Sequence, residues 1–148
     1  MSLKEEIKNR IIEIEKEELK GLKDMYETYS EAADLDEESS LDPEDFSKQD
    51  QSRESARSLE IRINRAKMAL DSFLNLDFDA KSEVEPGALV LTDSLNFFIG
   101  ISATMFDHEG KKYIGLNVDA PIYAALQGAK AGYEVEFNNQ KYKIKEIF

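Results

Sequence analysis

With 148 residues, 41% of them hydrophobic, the chain can build one compact domain or two small units, and a long multidomain protein is excluded. The absence of cysteine removes disulfides, thiolate metal sites and thiol nucleophiles, and fits a reducing cytoplasm. A net charge of −12 argues against autonomous nucleic-acid binding, which needs Lys and Arg gathered on one surface, and points instead to a protein partner.

The N-terminus is charged from Lys4 onward, with no apolar run that would serve as a signal peptide or membrane span, so a soluble, cytoplasmic protein is expected. From about Leu3 to Leu35, Ile7, Ile11 and Ile14 recur at helical spacing, and Leu19, Leu22, Tyr26, Tyr29 and Ala33 continue the stripe in a shifted register. Gly21 falls near the shift, where it reads as a surface residue or a local irregularity. Tyr26 and Tyr29 read as seam residues rather than as a stacking platform for bases. A second helix carries Ala56, Leu59, Ile63, Ala66, Leu70 and Phe73 in alternating steps of three and four, the spacing of a coiled-coil seam.

Two such helices joined by a short polar segment fold back as an antiparallel hairpin, predicted as a projecting arm with its turn between about Asp36 and Phe46. Residues 31–50 hold nine acids against Lys48 alone, which focuses the negative charge on the tip of that arm. Residues 1–80 carry 22 acidic and 12 basic groups, and residues 81–148 carry 9 and 7, so the two parts differ in kind.

After Leu76 the polar stretch Asp77 to Glu85 and then Pro86-Gly87 read as a linker and turn. Strand signals follow at 88–91, 96–102, 113–118, 134–137 and 142–147. Asp107-His108-Glu109-Gly110 and Asn138-Asn139 read as hairpin loops, with His108 a plain loop residue. Pro121 to Gln127 reads as a brief helix closed by Gly128. The predicted architecture is α+β: residues 1–77 form an antiparallel coiled-coil hairpin, and residues 78–148 a small, bent antiparallel sheet with one short helix.

The stretch from Asp119 through Pro121, Ala125-Leu126, Gly128 and Gly132, followed by Glu134 to Phe137 and Tyr142 to Ile144, resembles the C-terminal domain of the GreA and GreB transcription factors. Arg57 to Ile63 is similar to that family's Leu-Glu-Gly-Arg-Ile stretch. It sets a register in which Asp42 and Asp45 fall on the two acidic positions of the tip motif Asp-Leu-Ser-Glu-Asn-Ala-Glu-Tyr. The chain departs from that motif at Phe46 and Gln49, which stand at its Asn and Tyr positions.

The resemblance implies an FKBP-like C-terminal domain, RNA polymerase as partner, and a hairpin that enters the polymerase secondary channel. It implies that tip carboxylates help hold a Mg²⁺ shared with the polymerase while a backtracked transcript is cut, with no cofactor of the chain's own. Asp42 and Asp45, with Glu44 between them, are the candidate metal residues, and Asp119 and Pro121 the candidate docking residues. The chain would be an accessory factor rather than an enzyme, with no catalytic residue of its own.

Asp42-Pro43-Glu44-Asp45 is equally a helix-start pattern, with Asp as N-cap, Pro at the first helical position and acids favoured by the helix dipole. Asp119 and Pro121 likewise fit a cap and first residue of the short helix. The competing functions are a channel-occupying regulator that does not stimulate cleavage, an FKBP-type prolyl isomerase, and a stand-alone acidic binding module.

Overall fold

Among the described residues, the strand and helix periods seen in the sequence resolve into two long helices, a six-stranded sheet and one short helix. The computed structural model describes residues 1–33 and 43–148, with 43–47 described by backbone alone. Helix α1 spans Leu3–Ala33 and α2 Pro43–Leu74. The strands are β1 (Leu89–Thr92), β2 (Asn96–Ile99), β3 (Ala103–His108), β4 (Lys111–Leu116), β5 (Glu134–Phe137) and β6 (Gln140–Ile147), with α3 (Pro121–Leu126) between β4 and β5. The contacts group into two compact units: residues 15–69, and residues 1–14 together with 70–148. These groups cut across the sequence division at residue 77.

In the unit of residues 15–69 the two helices run antiparallel: Met25 and Tyr29 share a groove with Ser55, Leu59 and Arg62, while Lys23 and Tyr26 line another with Glu60, Ile63 and Lys67. Ala56, Leu59 and Ile63 are buried and Ala66 half-buried, so the three-four spacing of α2 marks the packed face. On α1, Leu19, Leu22 and Tyr26 are half-buried and Ala33 is buried. Tyr29 is exposed, and Ser30 takes the inward position instead. Helix α1 runs unbroken through Gly21, where an added Cβ would meet nothing within 4 Å. The glycine is a surface residue, and the register shift leaves no break.

In the other unit the strand order is β3-β4-β2-β1-β6-β5. Alternate residues of β1 and β2 feed two separate cores. Val90, Phe97 and Ile99 pack with Tyr123, Leu126, Tyr142 and Ile144, on the α3 face. Leu89 and Phe98 pack with Ile7, Ile11, Leu70 and Phe73, the ends of the long helices. All four residues of β2 are therefore buried, as expected for a strand covered on both faces.

The expectation of an antiparallel sheet is corrected here. β2 pairs with β4 in parallel, Asn96 opposite Tyr113 through Ile99 opposite Leu116, so the sheet is mixed. Parallel neighbours require an intervening element, and that element is β3, an edge strand the sequence did not signal. Asp107 and His108 consequently belong to β3 rather than to a loop, leaving Glu109 and Gly110 to make the turn at positive φ. Asn138 and Asn139, at φ 52° and 64°, form the β5–β6 turn as expected of their type.

The segment 77–87 is packed rather than a free linker. Lys81, its side chain 10% exposed, pairs with Asp77 at 3.3 Å and Glu85 at 3.6 Å, and Val84 lies in the α3-side core. Gly87 adopts φ +89°, where a Cβ would collide with the carbonyl oxygen of Asp77. Lys4 enters the same region from α1, its ammonium donating to the carbonyls of Asp79 at 3.0 Å and Phe148 at 3.1 Å. Burial pushes the Lys4 pKa down, and the neighbouring Lys81 charge adds to the effect.

Candidate functional site

The candidate metal residues fall at the connection of the two long helices. Asp42, and the side chains of Glu44 and Asp45, lie outside the described residues, as does most of the turn expected between Asp36 and Phe46. What is described is the base of that connection. Pro43 is the first residue of α2, a position where the missing backbone N–H costs nothing. Six residues later, the Gln49 side-chain amide donates to the carbonyl of Ala33 at 2.6 Å, tying the last residue of α1 to α2. Residues 33 and 49 are thus brought together. Seven of the nine acids of residues 31–50 fall between these two positions.

Farther along α1, Glu15 has one carboxylate oxygen buried with no hydrogen-bond partner. Burial, followed by the charge of Glu18, raises its pKa from 4.5 to about 7. Composition gives no sign of such a group, because the sequence around it is a run of alternating charges that reads as a solvated face.

The candidate docking residues sit at the start of α3. The N-cap of this helix is Ala120, with no side-chain cap, and Pro121 holds the first helical position. Asp119 therefore lies one residue too early to cap, and the capping explanation for it does not hold. Both Asp119 and Pro121 are exposed. Tyr123 and Leu126, on the opposite side of the helix, anchor it to the core. At the far end Gly128 takes φ +78° and donates to the Val84 carbonyl at 2.9 Å.

One convergence escaped the sequence. His108 Nε2 lies 3.4 Å from Glu6 Oε2, and Glu109 is adjacent to both. Burial raises the pKa of the neighbouring Tyr113 phenol, and the charges of Glu109 and Glu6 raise it further. Glu6 and His108 are 102 positions apart, so no local pattern could have paired them.

Among the described residues, no helix is long and apolar enough to cross a membrane. No family model matches the chain. No curated protein matches it either. Among solved structures it is similar to the crystal structure of GreA factor homolog 1 of Thermus thermophilus, at 16% identity, covering 97% of this chain and 93% of that one, with a TM-score of 0.35.

Proposed function

We propose that the chain is a Gre-type accessory factor of RNA polymerase. In this reading the helical pair is a coiled-coil arm that enters the secondary channel, and the sheet unit is an FKBP-like docking domain. The acids at the arm's end stimulate cleavage of backtracked transcripts. The observation that carries the reading is the charge pattern: two long antiparallel helices connect through a segment where residues 31–50 hold nine acids against one lysine. A solvated helix end does not need so lopsided a set, whereas a partner that presents a cation does. The sequence resemblance of the Asp119–Ile144 region to the GreA and GreB C-terminal domain supports the same assignment.

Asp42, Glu44 and Asp45 offer only hard carboxylate oxygens, the donor set that suits Mg²⁺, which binds through one or two carboxylates and otherwise keeps waters and phosphate oxygens. Held there, Mg²⁺ supplies Lewis-acid activation of water for hydrolysis of the transcript. The chain's own part is to deliver negative charge to a cation the polymerase holds weakly alone, with Pro43 keeping Asp42 out of the helix interior. Asp119 and Pro121 contact the channel rim.

Asp45→Asn tests this directly, since the amide keeps the shape and removes the charge. The variant should bind polymerase as before and cleave transcripts more slowly, with partial rescue by added Mg²⁺ through mass action. Asp42→Asn is the weaker probe, because Asn caps a helix about as well as Asp. Stimulation absent at every Mg²⁺ concentration, in an unmodified protein that binds polymerase, would replace the assignment with a channel-occupying regulator. That second reading is favoured by Phe46 and Gln49 at the motif's Asn and Tyr positions, and by the engagement of the Gln49 amide with Ala33.

A further inference from the structure

The one histidine of the chain stands where carboxylates from two distant segments converge. His108 is the last residue of β3, Glu109 begins the β3–β4 turn, and Glu6 lies in the first turn of α1. One ligand atom from each can be chosen so that all three lie within 4.8 Å of one another. Among the described residues neither Glu6 nor Glu109 forms an ion pair with a lysine or arginine, and the half-buried imidazole of His108 lies beside both.

The His108–Glu6 contact is long for a direct charge-assisted bond and has room for a shared ion. A charge-assisted hydrogen bond would draw nitrogen and oxygen to about 2.7–2.9 Å, whereas the His108–Glu6 distance is 3.4 Å. Ligands placed tetrahedrally around a zinc-sized ion at about 2.0–2.2 Å are separated from each other by about 3.3–3.6 Å. The His108 and Glu6 atoms already have that spacing. Glu109 is exposed, so packing does not hold its side chain away from that position.

We propose that Glu6, His108 and Glu109 form a binding site for a divalent cation of the zinc class, with solvent completing the coordination. One imidazole nitrogen beside two carboxylates favours such borderline ions over Mg²⁺ or Ca²⁺, which prefer oxygen throughout. The site is therefore chemically distinct from the all-carboxylate set at residues 42–45. Its effect is a cross-link, joining the first turn of α1 to the β3–β4 turn within the sheet unit.

Zn²⁺ titrated into the full chain against a chromophoric chelator tests the proposal. The unmodified protein should take up one equivalent that millimolar Mg²⁺ does not displace, and its melting temperature should rise with Zn²⁺. His108→Gln and Glu109→Gln should each weaken binding by about tenfold or more through loss of a ligand. The double variant Asp42→Asn/Asp45→Asn should bind as the parent does, so failure here and failure of the polymerase reading remain separable. If His108→Gln lowers the metal-free melting temperature, Glu109→Gln at the exposed turn decides alone. Absence of a stoichiometric equivalent, unchanged affinity in Glu109→Gln, or loss of binding in the double variant would overturn the site.

Discussion

Replacing Glu15 with Gln should stabilise the protein in a way that depends on pH. The folded-state pKa is raised from 4.5 to about 7, chiefly by burial. Between those values the folded protein holds more protons at this position than the unfolded chain does. Its contribution to stability is thus fully present below about pH 4.5 and is lost as pH rises through about 7. At about 1.36 kcal/mol per pH unit the ceiling is about 3.4 kcal/mol. Glu15 is only half-buried, so solvent screening reduces the expected cost at pH 8 to about 1–2 kcal/mol. Gln keeps the shape and never ionises, and should recover that amount at pH 8 and almost nothing at pH 4.5. Urea unfolding followed by circular dichroism reads the difference as a midpoint rise of roughly 0.5–1 M at the higher pH, for a slope of about 2 kcal/mol per M. Equal gains at both pH values, or none at pH 8, would refute the argument from burial.

Phe73 is fully buried and makes edge contacts with Phe78 at 5.2 Å and Phe98 at 5.5 Å, so Phe73→Ala should cost about 3–5 kcal/mol in the same unfolding assay. A loss below about 1 kcal/mol would mean that the sheet does not depend on the helix ends packed on it. Replacing Asp119 and Pro121 together with Ala should abolish pull-down of RNA polymerase while shifting stability by no more than about 0.5 kcal/mol, because both side chains are exposed and Asp119 caps nothing. Retained pull-down would remove these residues from the docking surface.

The long helices were legible because their buried positions repeat at three and four, a spacing that needs no knowledge of the partner. Short helix α3 was legible from Pro121 and Gly128, which punctuate it at both ends. Strand β3 was hidden because it lies at the sheet edge with Thr104 and Met105 both exposed, where a register shift between Ala103 and Phe106 breaks the alternation. The parallel pairing of β2 with β4 was hidden for a different reason: strand order is decided by contacts that no single segment records. At the candidate docking residues, sequence placed Asp119 and Pro121 at the helix start but could not tell which residue would cap it. The structure gives that place to Ala120. At the acidic connection, residue types were informative about charge and silent about geometry. Glu15 and the Glu6–His108 pair were invisible, since burial of one and proximity of the other arise only in three dimensions.

The sheet unit draws its first fourteen residues from one end of the chain and the rest from residue 70 onward, and this fixes an order of events during folding. Contacts in the helical pair can form as soon as α2 exists, by closing a loop of modest length. Those of Ile7 and Ile11 with Phe98 and Tyr113 must wait for chain about ninety residues later, and closing so long a loop is entropically costlier and slower. During synthesis the apolar stripe at the start of α1 therefore stays only partly covered until β1 to β4 emerge. While the chain is incomplete, that stripe is open to chaperones and to misassociation.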